Sequence, residues 1–239
     1  MKKNFYLSLL LALCATTTFA QQQQQRQPLP AEQEIPLEYG ADHLDVKNVL
    51  PEYPRPIMER SDWKNLNGLW NYAITEVGKS AMPATFDGQI LVPFAVESSL
   101  SGVGKTVGAE KELWYQRTFD VPQAWKNKKV LLHFGAVDWK TDVWVNDVKV
   151  GSHTGGFTPF AFDVTAALNN KGDNKLVVKV WDPTDDGYQP RGKQVKRPEG
   201  IWYTPVTGIW QTVWLEPVAN HYITDLRMTP DIDKKTVKV

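Results

Sequence analysis

Short apolar blocks recur between Trp114 and Asp182, and they determine the predicted architecture of the chain. Each block is rich in Val, Leu, Phe, Trp and Tyr, and Gly, Pro, Asn or Asp separates one block from the next. β-Branched and aromatic residues favour strands, and turn residues at such regular intervals are typical of an antiparallel sandwich or barrel. No helical periodicity of convincing length interrupts the series. The pattern therefore predicts an all-β fold built on a β-sandwich core.

The alternation of apolar and polar positions is clearest between residues 143 and 150. Four valines there interleave with Asp142, Asn146 and Lys149, as on strands that have one buried face. Asn146 and Asp147 lie in the middle, where a two-residue hairpin turn needs residues that tolerate positive φ. The sequence therefore predicts a hairpin that turns at these two residues.

The upstream part of the chain contains shorter signals of the same kind. Leu69–Thr75 is predicted to be a strand with Trp70 and Tyr72 on one face, and Gln89–Pro93 is predicted to be another short strand. The prolines of Leu50–Pro56 force an extended path, because proline fixes φ and restricts the residue before it. Ordered structure is therefore expected to begin close to residue 50.

Residues 1–20 are predicted to be a secretory signal peptide and not part of the fold. Two lysines precede an apolar run from Phe5 to Ala15, and small residues stand before the expected cleavage point after Ala20. We therefore expect a periplasmic or extracellular location, and the sole cysteine, Cys14, lies within the signal. Residues 21–48 begin with five glutamines and are expected to form a flexible Gln/Pro-rich leader.

Composition excludes some classes of partner. Lys plus Arg and Asp plus Glu each number 27, so no overall charge attracts nucleic acid or an acidic membrane surface. A content of 42% hydrophobic and 23% charged residues is ordinary for a folded soluble protein. The ten tryptophans are less ordinary, and most buried tryptophans are simply core. We predict no nucleic-acid partner and no membrane span.

Motifs for nucleotide, metal and nucleophile chemistry are incomplete or missing in the sequence. Ser101–Thr106 resembles the end of a phosphate-binding loop, but that pattern needs a glycine where Ser99 stands and a helix afterwards. A glycine-rich loop is the better interpretation. The four histidines show no spacing that suits a metal site, and the mature chain has no cysteine nucleophile. We predict no metal and no cofactor.

A series of motifs between residues 66 and 217 carries a family resemblance. The motifs are L-N-G-L-W at 66–70, V-P-F at 92–94, L-W-Y-Q-R-T-F at 113–119, V-W-V-N-D-V-K-V-G-S-H-T-G-G-F-T-P-F at 143–160, D-V-T at 163–165, N-K-L-V-V-K-V at 174–180 and G-I-W-Q-T-V-W-L-E-P at 208–217. Together they resemble the amino-terminal domain of glycoside hydrolase family 2, which contains β-galactosidases, β-glucuronidases and β-mannosidases. The resemblance implies that residues 49–218 form a jelly-roll sugar-binding domain of the galactose-binding type, with carbohydrate as its partner.

The same resemblance implies further domains after this one. In the family an immunoglobulin-like domain and a catalytic (β/α)8 barrel follow the jelly roll. Residues 219–239 are interpreted as the truncated start of the immunoglobulin-like domain, with Tyr222–Met228 and Thr236–Val239 as its opening hairpin. The chain is therefore expected to be a fragment whose partners include the two missing domains.

Retaining hydrolysis of a glycosidic bond needs two carboxyl groups about 5–5.5 Å apart. The resemblance implies a Glu after Asn on one barrel strand and another Glu on a later strand, but the sequence contains no Asn-Glu dipeptide. A barrel also needs roughly 200–250 residues. We expect no catalytic residue in this chain and no activity from it alone. Glu97, Glu110, Glu112 and Glu199 are interpreted as surface charges.

The long loop between Val180 and Trp210 contains the candidate sugar contacts. Loops of this length are usually functional or disordered. Carboxylates and amides accept hydrogen bonds from hydroxyls, Arg and Lys donate them, and aromatic rings offer stacking faces. The residues of these types are Asp182, Asp185, Asp186, Tyr188, Arg191, Lys193, Gln194, Trp202 and Tyr203. The resemblance implies that an Asp of this loop helps to hold the sugar, and Asp182 and Asp186 are both candidates.

Two further possibilities for this region stay open. The loop could instead pack against the missing barrel, with Arg191, Lys193, Lys196 and Arg197 as a solvated or interdomain charge cluster. The segment Phe94–Leu100, which includes Glu97, is a second candidate contributor, because it resembles a family segment on the active-site side.

Three hypotheses about function follow from these observations. The first is the amino-terminal scaffold of an exported, β-galactosidase-like glycosidase. The second is a stand-alone carbohydrate-binding module without catalysis, and the third is a protein-interaction domain. Buried tryptophans favour the scaffold, whereas a row of exposed Trp or Tyr on one sheet face favours the binding module.

Overall fold

A computed structural model describes residues 45–78, 81–169 and 172–239 of the chain. The predicted signal peptide and residues 21–44 of the predicted leader lie outside these residues. The last four leader residues form a turn, in which the N–H of Asn48 donates to the carbonyl of Asp45 at 2.9 Å. The regular structure of the described residues consists of β-strands and short 3-10 helices, so the predicted all-β class is confirmed.

The larger sheet has six antiparallel strands in the order β3-β2-β4-β10-β7-β8. Its strands are β2 (Gly68–Glu76), β3 (Gly88–Val92), β4 (Lys111–Phe119), β7 (Lys140–Val145), β8 (Val148–Thr154) and β10 (Asn174–Trp181). Core side chains recur at every second position, as Leu176, Val178 and Val180 do in β10, which is the period expected for a sheet with one face in the core.

The smaller sheet has four antiparallel strands in the order β1-β12-β5-β9. Its strands are β1 (Lys64–Asn65), β5 (Lys129–Phe134), β9 (Phe160–Asp163) and β12 (Val213–Val218). Two short ladders stand apart, β6 (Val137–Asp138) with β11 (Gly208–Ile209), and β13 (Thr229–Asp231) with β14 (Thr236–Lys238). The 3-10 helices are η1 (Pro56–Met58), η2 (Ser99–Ser101), η3 (Gln123–Trp125) and η4 (Thr165–Ala167).

The main core lies between the two sheets and makes the fold a β-sandwich. Side chains from both sheets belong to one buried cluster, and the largest fully buried members include Trp70, Tyr115, Leu132, Phe134 and Leu215. Burying a side chain of this size contributes about 1.5–3 kcal/mol relative to exposure, so this cluster supplies most of the driving force for folding.

The outer face of the six-stranded sheet has a smaller cluster of its own. Trp114 is buried there beside Ala73 and Val177, and its ring stacks on Trp144 with centroids 6.0 Å apart. The loop between β2 and β3 packs Met82 and Phe86 against the same cluster. This cover explains why β4 and β10 contain apolar residues on both faces.

The predicted turn at Asn146-Asp147 is confirmed. It joins β7 to β8, and Val145 pairs with Val148 across it. Both turn residues have positive φ, 50° for Asn146 and 64° for Asp147, as a two-residue hairpin turn requires. The predicted strands at Leu69–Thr75 and Gln89–Pro93 correspond to β2 and β3, and Trp70 and Tyr72 are both buried.

The carboxyl-terminal hairpin is present but begins later than predicted. Its first strand is β13, so the prediction of a strand at Tyr222–Met228 is wrong. Tyr222 and Ile223 lie instead beside Arg60, whose Nη2 donates to the Ile223 carbonyl at 2.7 Å. That carbonyl is therefore engaged by a side chain and not by a neighbouring strand. The assignment of 219–239 to a second domain stays a prediction.

In the part of the chain that the structure describes, no helix is both long and apolar enough to cross a membrane.

Candidate functional site

The buried carboxylate of Asp182 joins the two ends of the long loop between Val180 and Trp210. Asp182 directly follows β10, and its Oδ1 accepts the Thr184 N–H at 2.7 Å. Its Oδ2 accepts the Thr207 hydroxyl at 2.8 Å, so the two ends of the loop are joined. Burial raises the pKa of Asp182 above its ordinary value. Both carboxylate oxygens of Asp182 thus accept hydrogen bonds from within the protein. A contact between Asp182 and a sugar stays a prediction.

Glu97 meets the same loop end from another segment of the chain. Its Oε2 accepts the Thr207 N–H at 2.9 Å, across 110 positions of sequence. Its Oε1 is buried without a hydrogen-bond partner among the described residues. Burial, and to a smaller extent the nearby Asp182, raises the pKa of Glu97 to about 8. Glu97 therefore holds a proton at neutral pH, since ionising it would bury an unpaired charge.

Asp138 is a third carboxyl at this place, and the sequence patterns did not predict it. It lies in β6, where it pairs with Gly208 of β11, and it is half-buried. Burial and the neighbouring Asp182 raise the pKa of Asp138 to about 7. A Cβ on Gly156 would collide with the Asp138 carboxyl, so only glycine fits beside it. The one available signal was an aspartate that interrupts the apolar segment Gly135–Trp139.

Glu97, Asp138 and Asp182 together form what we call the carboxylate cluster. At neutral pH such neighbouring acids do not all ionise, so the cluster contains both hydrogen-bond acceptors and protonated donors. That combination suits the hydroxyl groups of a carbohydrate, which donate and accept. Among the described residues no group of three or more His, Cys, Asp or Glu side chains is arranged to hold a metal ion.

Four of the predicted site residues lie together on a part of the loop that contains the exposed side chains of Tyr188, Trp202 and Tyr203. Gln194 forms a bridge with Tyr203, and the Tyr203 N–H donates to the Lys193 carbonyl at 2.9 Å. The Arg191 guanidinium lies 5.8 Å from the Trp202 ring centroid, and Lys193 Nζ lies 5.8 Å from that of Tyr203. We call residues 188–203 the loop tip. The structure thus brings Arg191, Lys193, Gln194 and Trp202 together at the loop tip, and their contact with a sugar stays a prediction.

The other loop aspartates do not join the carboxylate cluster through hydrogen bonds. Asp186 is exposed and forms an ion pair with Lys196. Asp185 accepts the Lys196 N–H at 3.2 Å. Both hold the loop in its own conformation. Of the two candidates for a sugar-holding Asp, only Asp182 lies with Glu97, whereas Asp186 faces solvent.

Two glutamates differ from the interpretation as surface charges. Glu97 is buried in the carboxylate cluster, and Glu112 is buried on β4, where Lys179 Nζ lies 3.3 Å from its Oε1. For these two residues the interpretation is wrong, because neighbouring strands and loops cover them. Glu110 and Glu199 are exposed, as predicted.

The tryptophans favour a scaffold over a flat binding face. Trp70, Trp114, Trp125 and Trp214 are buried, and of the ten only Trp202 is exposed, at 41%. Trp202 belongs to the loop tip and not to a sheet. No row of exposed tryptophans therefore crosses either sheet face in the described residues.

Comparison with known proteins gives a consistent family. Residues 104–215 match the family model described as glycosyl hydrolases family 2, sugar binding domain. A β-glucuronidase of Paenibacillus borealis is 25% identical over 197 residues, which are 75% of this chain and 33% of the relative. A β-galactosidase of Thermoanaerobacter pseudethanolicus is 34% identical over 119 residues, 49% of this chain and 15% of the relative. The chain thus spans a third or less of the length of these relatives.

A solved structure supports the fold. The Faecalibacterium prausnitzii β-glucuronidase superposes with a TM-score of 0.56 at 24% identity, over 76% of this chain and 35% of that one. The part of this chain that matches the family model begins before β4 and ends within β12. It therefore includes Asp138, Asp182 and Thr207.

Proposed function

We propose that this chain is the amino-terminal scaffold domain of an exported β-glycosidase of glycosyl hydrolase family 2 and forms one wall of its substrate site. The observation that carries this proposal is the family match over residues 104–215, which contains the loop and two of the three clustered carboxyls. The names of the relatives, β-glucuronidase and β-galactosidase, suggest a β-linked hexoside or hexuronide as the substrate.

The domain contributes binding groups, and the reacting carboxyl pair belongs to a barrel outside this sequence. Retaining hydrolysis needs an acid/base and a nucleophile on opposite sides of one glycosidic bond. Glu97 and Asp182 are buried and hydrogen-bonded inside the domain, so neither is positioned as a free nucleophile. Asp138 is the cluster member best placed to contact a sugar hydroxyl, because it is half-buried and no hydrogen bond within the described residues engages its carboxyl.

The first test reads the source DNA beyond the codon for Val239. We expect an open frame of several hundred codons that supplies an Asn-Glu dipeptide on a predicted barrel strand. The protein encoded by that longer frame should hydrolyse a 4-nitrophenyl β-glycoside, whereas the 239-residue chain should not. Hydrolysis by the short chain, or a stop codon directly after Val239, would overturn the proposal.

The stand-alone binding module is the alternative, and the loop tip is the feature that favours it. Tyr188, Trp202 and Tyr203 are all exposed there beside Arg191 and Lys193. A stop codon after Val239 together with glycan binding that depends on Trp202 would support this alternative.

Export follows from the apolar amino terminus and belongs to the same proposal. Expression in a secreting bacterial host should yield a protein whose mass corresponds to a chain that begins at Gln21. A protein that stays in the cytoplasm with residues 1–20 still attached would contradict this expectation.

A further inference from the structure

A groove crosses the outer face of the four-stranded sheet, and its lining includes no residue of the carboxylate cluster or the loop tip. Two adjoining cavities form it, one of about 310 Å³ and one of about 430 Å³. They share Arg55, Pro159 and Trp214 as a common wall. Each cavity has the size that holds a small-molecule ligand, roughly 300–1,000 Å³. We call the two together the outer groove.

The outer groove has an aromatic side chain at each end. Phe157 is 52% exposed at one end and contacts Trp210 edge-on, with centroids 6.3 Å apart. Trp210 is fixed there because its Nε1 donates to the Gly156 carbonyl at 2.8 Å. Tyr222 lies at the other end, and the Arg60 guanidinium lies 6.0 Å from its ring centroid. Aromatic faces separated along an open groove suit a chain of pyranose rings, whose C–H faces stack on them.

Hydrogen-bond donors between the two ends are held rigidly. Arg55 Nη2 lies 3.0 Å and Arg60 Nε lies 3.1 Å from Oε2 of the buried Glu216. A guanidinium has five N–H donors, and these contacts use only some of them. Arg60 Nη2 also donates to the Ile223 carbonyl, and the Arg55 and Arg60 side chains, which are 30% and 23% exposed, both line the groove. Donors fixed in advance cost a ligand little ordering entropy.

The charge balance of the groove selects against a polyanion. The two arginines are offset by Glu216 beneath them and by Glu52 and Asp163 on the walls. No net positive field is left to attract a nucleic acid or a highly sulfated polymer. A neutral, hydroxyl-rich ligand fits this balance better than a charged one.

The Phe157 end of the groove adjoins the carboxylate cluster. The Trp210 N–H donates to the Ala136 carbonyl at 3.3 Å, and Gly156, which accepts the Trp210 side chain, packs on the Asp138 carboxyl. A sugar chain in the groove would therefore extend from the neighbourhood of Asp138 towards Tyr222.

We propose that the outer groove is a second carbohydrate-binding site that takes a neutral β-linked oligosaccharide spanning both cavities. This binding does not depend on hydrolysis, so it can be tested on the 239-residue chain whatever the outcome for the proposed glycosidase.

The test titrates the chain with cellotriose, β-1,4-galactotriose and β-1,4-mannotriose, followed by calorimetry and tryptophan fluorescence. At least one neutral trisaccharide should bind, and Phe157→Ala and Tyr222→Ala should each raise its Kd roughly threefold to tenfold, as the loss of one aromatic stacking contact predicts. Trp202→Ala in the loop tip is the matched control and should leave the Kd unchanged. Circular dichroism during urea unfolding checks that each variant is folded.

Three outcomes would overturn the proposal. One is no binding of any of these trisaccharides at about 10 mM ligand. Another is binding that Trp202→Ala abolishes while Phe157→Ala leaves it intact, which would place the ligand on the loop tip. The third is tighter binding of trigalacturonic acid than of every neutral trisaccharide, which would contradict the charge argument.

Discussion

Glu216 shows what a single residue does when several segments converge on it. It is fully buried, and Trp214 Nε1 donates to its Oε1 at 2.8 Å, while Tyr53 donates to the same oxygen. Burial alone would raise the pKa of Glu216, but the neighbouring His133 ring and hydrogen bonds from Tyr53 and Trp214 outweigh it and lower the pKa to about 2. Glu216 therefore stays ionised and fastens the segment before β1 to the outer face of the four-stranded sheet.

Glu97 is the opposite case, a buried acid that keeps its proton. Its pKa is raised from 4.5 to about 8, so the unfolded state loses the proton at a lower pH than the folded state does. The stability contributed by this group is fully present below pH 4.5 and is lost as the pH rises towards 8.

We predict that Glu97→Gln removes this dependence, because glutamine keeps an acceptor for the Thr207 N–H and has no proton to lose. Urea unfolding at pH 5, 6.5 and 8 should show the free energy of unfolding falling less steeply with pH in the variant than in the parent chain. The shifted acids Asp138 and Asp182 are common to both proteins, so the difference in slope isolates Glu97.

Glu97→Ala is the control for the residue as a whole. It removes the acceptor as well as the titration, and it should lower stability at every pH by about 1–3 kcal/mol. Equal slopes for the parent chain and Glu97→Gln would contradict the assignment of a proton to Glu97.

The turn between β7 and β8 shows how an element is stabilised from outside itself. Asn146 Nδ2 donates to the Ala167 carbonyl at 2.8 Å and to Asn174 Oδ1 at 2.7 Å, and Asn146 Oδ1 accepts the Lys175 N–H at 2.8 Å. The hairpin turn is therefore tied to η4 and to the start of β10.

Asn146→Ala should cost roughly 2–4 kcal/mol in urea unfolding, because it removes these hydrogen bonds and places alanine at positive φ. Asp147→Ala is the matched control, since Asp147 has the same backbone conformation but only an exposed ion pair with Lys175. It should cost roughly 1–2 kcal/mol. Equal losses for the two variants would show that the side-chain bonds of Asn146 contribute nothing.

At the scale of the whole molecule, the stability of the sandwich does not depend on the carboxyl-terminal hairpin. β13 pairs only with β14, and Ile232 and Val237 of this hairpin are exposed. Two paired strands without further packing are marginal in water. The sandwich is therefore expected to fold without them.

For a chain that ends at Thr224, we expect a free energy of unfolding within about 0.5 kcal/mol of that of the full chain, because the deleted residues bury little surface. A chain that ends at Val218 is the comparison, since it also loses the Ile223 carbonyl that Arg60 contacts and the Tyr222 ring. It should be less stable by about 1 kcal/mol or more. A large loss from the first deletion would mean that the hairpin packs on the sandwich.

The sequence by itself determined the features that depend on neighbouring residues. The period of two in β2 and β7, the turn at Asn146-Asp147 and the family motifs all lie within short stretches, so they can be recognised without knowledge of the fold. The all-β class followed from them, and so did the resemblance to the sugar-binding domain whose family model matches residues 104–215.

Only the tertiary structure decided the burial and the charge states. Glu97 and Thr207 are 110 positions apart, and Asp138 lies in β6 whereas Asp182 follows β10, so no local pattern could place them together. The same holds for Glu216, whose partners Tyr53 and Arg55 are more than 150 positions away. The local sequence around a carboxyl group is the same whether the group is solvated or buried. Its pKa depends on the residues that pack over it in the folded protein.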